Sequence, residues 1–234
     1  MYAMNRMTYD YRLQFTKRDK MRYIGHLDLL KYFQRAIKRA NVPIAFSMGF
    51  NPHQLVSFTM PLPLGMSGLA EYVDIRLESE MPCDDLKTRL NAQMSDGMEI
   101  TAVRRLREDE DTGAALVAAA DYTAVLDICD PDFADKLASL KAVPVWEIEK
   151  LGKKKKLKTV DIRPLIYALD CETAENTVIH ARLATGSNSN LKPELMLRYI
   201  YEKLGLDFDY IRIKIARTEM YRRDESGNFT GLME

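Results

Sequence analysis

The groups that could begin chemistry in this chain are three histidines, three cysteines and 34 lysines and arginines, the last balanced by 34 acids. His26 stands in Arg-Tyr-Ile-Gly-His-Leu-Asp, where a helical pattern starts, and His53 stands in Gly-Phe-Asn-Pro-His, directly after Asn51 and Pro52. A helix start leaves free amides and the positive end of the macrodipole, so Gly25-His26 suits an anion. Asn51 and His53 belong to a loop stiffened by proline, the kind of scaffold on which small folds hold functional side chains. His26, Asn51 and His53 are therefore expected to line a shared ligand site. A histidine there could serve as base, donor or metal ligand. Metal is the weakest of these, because only Asp28 offers a third ligand, and no metal or other cofactor is expected. A lone histidine is otherwise a structural residue.

The cations have a pattern of their own. Lys31, Arg35, Lys38 and Arg39 fall on one side of the helix that His26 opens, and Lys17, Arg18, Lys20 and Arg22 lie just upstream. In the second half Lys153, Lys154, Lys155, Lys156 and Lys158 crowd what reads as a hairpin tip, and Arg163 follows. A basic face is usually a solvated surface. In a chain with zero formal net charge, a basic face that no acid interrupts after Asp28 is a signal for phosphate backbone. The expected phosphate contacts are Arg22, Lys31, Arg35, Lys38, Arg39 and Lys153 to Lys156, with Arg163 as an addition.

Other chemistries lack their residues. Cys83, Cys129 and Cys171 are far apart and odd in number, which suits reduced thiols in a cytoplasmic protein and excludes a zinc ribbon or a cysteine-ligated cluster. No Gly-x-Gly-x-x-Gly or Walker-type loop occurs. No apolar run reaches the ~18 residues that would cross a bilayer, and the first residues show no apolar core of a secretory signal.

The elements that must position these groups follow from periodicity. Alternation over 9–15, 55–60, 71–78 and 98–106 reads as strands. Helical spacing at Leu27, Leu30, Phe33 and Ile37 gives one helix, ended near Pro43, and Leu86 and Leu90 give a second after Pro82. The order is β-α-β-β-α-β. After a charged, then small, stretch over 107–115 it begins again. Strands are expected over 121–128, 177–184 and 208–217, with a hairpin around the lysine tip. Helices are expected from Pro131 and from Pro193. The predicted fold is α+β, two tandem ferredoxin-like βαββαβ units with antiparallel sheets backed by helices. The first unit covers 1–107, a linker 108–118, and the second unit, carrying the inserted hairpin, 119–234.

The stretch RYIGHLDLLKYFQRAIKRANVPIAFSMGFNPHQLVSFTMPLPLG resembles the signature of a bacterial radical-SAM-associated family of unknown function. That signature combines a His-Leu-Asp helix, a Gly-Phe-Asn-Pro-His loop and a Pro-Leu-Pro-Leu-Gly turn. KLKTVDIRPLI, NLKPELML and IARTEMY agree more loosely, and the segment GMSGLAEY departs from the pattern in carrying fewer acids. The resemblance implies a partner of a radical SAM protein, since such domains occur fused to or encoded beside one. This chain has no Cys-x-x-x-Cys-x-x-Cys with which to hold the cluster itself. A looser similarity is to tandem ferredoxin-like endonucleases that cleave CRISPR repeats and can use a histidine on the first helix.

Three functions follow as expectations. The first is a non-enzymatic cytoplasmic accessory of a radical SAM system, binding RNA or presenting a substrate. The second is a metal-independent ribonuclease with His26 as general base. The third is a protein–protein scaffold using a sheet face or the edge beside 55–60.

Overall fold

The computed structural model describes residues 7–128, 130–151 and 157–234. The fold is mixed α+β with a mostly antiparallel sheet, and the chain divides into two compact units. The first holds residues 1–117 together with 220–234, the second residues 118–219.

In the first unit β1 (Tyr9–Lys17), α1 (His26–Arg39), β2 (Val56–Phe58), β3 (Ser67–Leu77), α2 (Cys83–Asn91) and β4 (Met98–Arg105) follow one another, and a single turn of helix, α3 (Gly113–Leu116), comes after them. β3 pairs antiparallel with β1, and β1 with β4; β2 pairs with Val73 to Ile75 of β3. Alternation along β1 decides the core. Tyr11, Leu13 and Phe15 turn toward the helices and are buried with Leu29, Phe33, Ile37, Leu86 and Leu90.

α1 buries Leu29, Phe33, Ala36 and Ile37, spaced four, three and one. This corrects the stripe expected from the sequence, because Leu27 is exposed and Leu29 takes its place. The register is set by Gly25 as N-cap. At the other end Asn41 takes a left-handed φ of 51°, and the Val42 amide reaches the Ile37 carbonyl at 3.2 Å, a closure that Pro43 then prevents from continuing.

The second unit contains β5 (Ala119–Leu126), α4 (Phe133–Lys141), the paired β6 (Glu147–Leu151) and β7 (Leu157–Asp161), β8 (Ile166–Thr173), β9 (Thr177–Ala184) and α5 (Pro193–Lys203). β10 (Lys214–Arg223) starts in this unit and ends in the first, where β11 (Phe229–Gly231) pairs with it. The strand order here is β10-β5-β9-β8. Trp146 is fully buried, stacks on Tyr199 at 4.7 Å and donates its indole N–H to the Leu140 carbonyl at 3.3 Å.

Several strand assignments differ from the sequence expectation: β3 begins at Ser67 rather than 71, and β11 is a further strand beyond those expected. β8 forms a strand where none was expected. The strand expected over 208–217 runs over Lys214–Arg223 as β10, because the Asp209 carboxylate accepts the Ile211 amide at 3.0 Å and turns the chain into a short 3-10 helix, Tyr210–Arg212.

Candidate nucleic-acid interface

Lys31, Arg35 and Lys38 are all exposed on α1 and form no ion pair among the described residues. Steps of four and three along a 3.6-residue helix keep them within one narrow stripe, opposite the buried Phe33 side. Arg39 lies at the edge of the same face but is held: its Nε donates to Gln93 Oε1 at 3.2 Å and its Nη2 to the Gln93 carbonyl at 3.0 Å. The upstream cations do not all extend the stripe. Lys17 is buried, with Nζ donating to the Ile24 carbonyl at 2.8 Å, which fixes the chain entering α1. Arg18 pairs with Glu99 at 3.6 Å. Arg22 lies over the Tyr23 ring and donates to its hydroxyl.

Beside this helix stands a closed loop. Phe46 and Gln54 form an antiparallel bridge, and the Ser47 amide donates to the His53 carbonyl at 2.8 Å. The Ser47 hydroxyl accepts the His53 amide at 3.1 Å and lies 2.8 Å from His53 Nδ1. Gly49, at φ 119°, lets the tip reverse. The result presents Phe46, Met48 and Phe50 to solvent, Met48 at 96% and Phe50 at full exposure. Gln54 ties the loop to α1 by donating Nε2 to the Gln34 carbonyl at 3.4 Å, and Gln34 sits one step around the helix from Lys31 and Lys38.

Among the described residues no hydrogen bond or ring contact joins His26, Asn51 and His53. His26 is exposed, packs edge-on against Phe58 at 5.6 Å between ring centres, and makes no hydrogen bond or ion pair with a described residue. Phe58 in turn meets Phe33 and Phe15 of the core. Asn51 is exposed at the loop tip. His53 braces the loop through Ser47 and borders a cavity of about 320 Å³ with Asp10, Ser57, Asp74, Arg76 and Thr112, in which neither His26 nor Asn51 takes part. The Pro-Leu-Pro-Leu-Gly turn folds back on the other motif: Gly65, at φ 84°, donates its amide to the Arg22 carbonyl at 2.9 Å.

Arg163 is half-buried and mainly structural. It donates to the carbonyls of Ile166 and Lys141, each at 3.4 Å, and so covers the end of α4. Lys153, Lys154, Lys155 and Lys156 lie outside the described residues.

Reading the sequence alone misses a buried charge cluster. Arg12 clasps Asp74 with Nε at 2.8 Å and Nη2 at 3.0 Å, and also reaches the carbonyls of Asp111 and Leu232 at 3.2 Å. Arg104 grips Glu110 in the same two-pronged way and donates to Leu232 as well. The hydrogen bonds from Arg104 hold the Glu110 carboxyl below the ordinary carboxylate range, against the opposing effect of burial. Asp74 accepts the Gly113 amide at 2.6 Å, and a side chain at 113 would stand 2.3 Å from Thr59 Cγ2, so glycine is needed for that approach. The only sequence signal was alternation, Asp10, Arg12 and Gln14 between apolar neighbours, which reads as a solvent face.

The family model described as an uncharacterized protein conserved in bacteria (DUF2344) matches residues 10–193, well over half of the chain. The chain belongs to that family. The DUF2344 match takes in α1, the 46–54 loop, the proline turn and Arg163, while β10 and β11 lie beyond it. No curated protein matches in sequence. Among solved structures, a chain of a Cbf5-Nop10-Gar1 complex is similar at 13% identity with a TM-score of 0.48, over 92% of this chain and 51% of that one. The chain thus spans about half the length of that relative. A protein described as a putative glycine cleavage system transcriptional repressor is similar at 14% identity with a TM-score of 0.23, over 96% of this chain and 99% of the other. At these TM-scores neither likeness bears on function. Among the described residues no helix is long and apolar enough to cross a membrane, and no cluster of three metal-ligating side chains occurs.

Proposed function

We propose that this protein is a binding module that holds RNA through α1 and acts as a cytoplasmic accessory to a radical SAM protein. The observation that carries the RNA part is the stripe of Lys31, Arg35 and Lys38, exposed and without acidic partners among the described residues. Cations left free of internal salt bridges can neutralise phosphates and release their counterions, which is where most nucleic-acid affinity originates. The radical SAM partner rests on the sequence resemblance alone. In this reading each unit is ferredoxin-like, supported by the element order of the first and by the strand order β10-β5-β9-β8 of the second.

The rival readings have less under them. A nuclease would need a base positioned by another group, whereas the His26 side chain packs on the Phe58 ring and has no hydrogen-bond or ion-pair partner among the described residues. A scaffold using the sheet would need a free face or edge. On the first unit's sheet Arg12 and Asp74 are covered by residues 111–113 and 232, and on β4 the Ile100 backbone is taken by Asn91, which exchanges two hydrogen bonds with it.

The test is a pull-down from lysate with and without ribonuclease, using the wild type and an Arg35→Glu, Lys38→Glu variant. The proposal expects RNA with the wild type and little with the variant. Equal RNA recovery from both would refute it.

A further inference from the structure

Resting on that reading, we infer that the 46–54 loop is a stacking arm which makes the interface selective for single-stranded RNA. An ordered loop that holds Met48 and Phe50 almost entirely in water, with Phe46 half exposed below them, forgoes the burial these side chains would otherwise gain. The loop is not slack. Ser47 and His53 are joined by three hydrogen bonds of 2.8 to 3.1 Å, and Gln54 fastens it to the helix that carries the cations.

His53 acts here as a positioning residue. Because its own amide already donates to the Ser47 oxygen, the Ser47 hydroxyl proton is available for Nδ1, and the ring becomes a strut across the base of the loop. The occupant is chosen by charge. A protein or lipid partner could cover an apolar tip, but the loop is fastened through Gln54 to Gln34, on the helix face that carries Lys31 and Lys38, so an occupant that joins apolar faces to a chain of anions suits both features. An unpaired polynucleotide does so, since each base offers a face to stack on an aromatic ring. A duplex keeps its bases stacked on one another and can offer the cations only its phosphates.

The experiment is fluorescence anisotropy on the full chain with two probes, a single-stranded 12-nucleotide RNA and a blunt RNA duplex of equal length, across a salt series. Phe50→Ala should weaken the single strand about 5- to 150-fold, the range for removing one stack, and leave the duplex and the salt slope unchanged. Phe50→Trp should restore single-strand binding. His53→Ala should weaken it in the same selective manner but less. Because Phe50 is wholly exposed, its removal leaves the fold intact, which a thermal melt would confirm. Single-strand affinity unchanged in Phe50→Ala, or equal losses for both probes, would overturn the stacking arm and leave the phosphate stripe standing. Failure of the wild type to bind either probe would overturn both.

Discussion

Asp10 and Arg76 in the first unit, and Asp121 and Arg182 in the second, form the same device. Each pair faces across two adjacent strands, β1 with β3 and β5 with β9, and each arginine grips its acid with two hydrogen bonds of 2.7 and 2.8 Å. Two residues further along, the units part company. The first places Arg12 opposite Asp74 and then Gln14 opposite Tyr72, while the second places Thr123 opposite His180 and Val125 opposite Val178. The first unit's charged pair is buried because residues 110–113 and 232 close over it; the corresponding His180 in the second is exposed enough to approach Glu172 at 3.6 Å. One sheet pattern thus serves two purposes. In the first unit it anchors the chain that follows β4 and the tail after β11.

The largest effect should come from breaking that anchor. Arg12→Met strands Asp74 inside the protein, and losing one partner of a buried pair typically costs about 3–5 kcal/mol. Thr123→Ala, at the matching place in the second unit, should stay within about 1 kcal/mol. Denaturant unfolding of the two variants decides it, and equal losses would erase the distinction between the units.

A smaller effect is set by pH. Glu110 is held below its ordinary value in the folded protein, so its contribution to stability is complete above the unfolded carboxylate pKa of about 4.3 and is lost as pH falls through the folded value. Glu110→Gln should be less stable at neutral pH and should lose stability less steeply between about pH 5 and 3. Parallel acid limbs for wild type and variant would contradict the assignment.

The smallest effects should be the shared ones. Asp10→Asn and Asp121→Asn each weaken a half-exposed pair and should cost no more than about 1 kcal/mol, and by similar amounts. A large difference between them would show that the common register hides unequal burial.

The contrast also marks what a sequence can disclose. Helical spacing located α1, and proline and glycine marked its ends, because those signals are local. The choice of Leu29 over Leu27 was not readable from spacing, since both positions lie a helical step from Phe33 or Leu30; Phe33 and Ile37 stay in the buried stripe while Leu27 leaves it and Leu29 and Ala36 join it. Asp10, Arg12 and Gln14 look like a wet face from alternation alone, since nothing local says that residues 110–113 return to cover Arg12. The basic stripe was legible; the exposure of Phe46, Met48 and Phe50 was not, for apolar residues between turns read equally well as core. His26 and His53 share conspicuous motifs, yet one leans on Phe58 and the other braces Ser47.

Engagement of phosphate by α1 is decided by the affinity for a single-stranded RNA, measured against salt concentration for the wild type and for Arg35→Glu, Lys38→Glu. Wild-type affinity should fall steeply with salt. The double variant should lose most of the binding, and its log–log slope should be smaller by about 0.7 for each phosphate it no longer neutralises. An affinity indifferent to salt, or a slope the double variant leaves unchanged, would contradict phosphate binding by this helix.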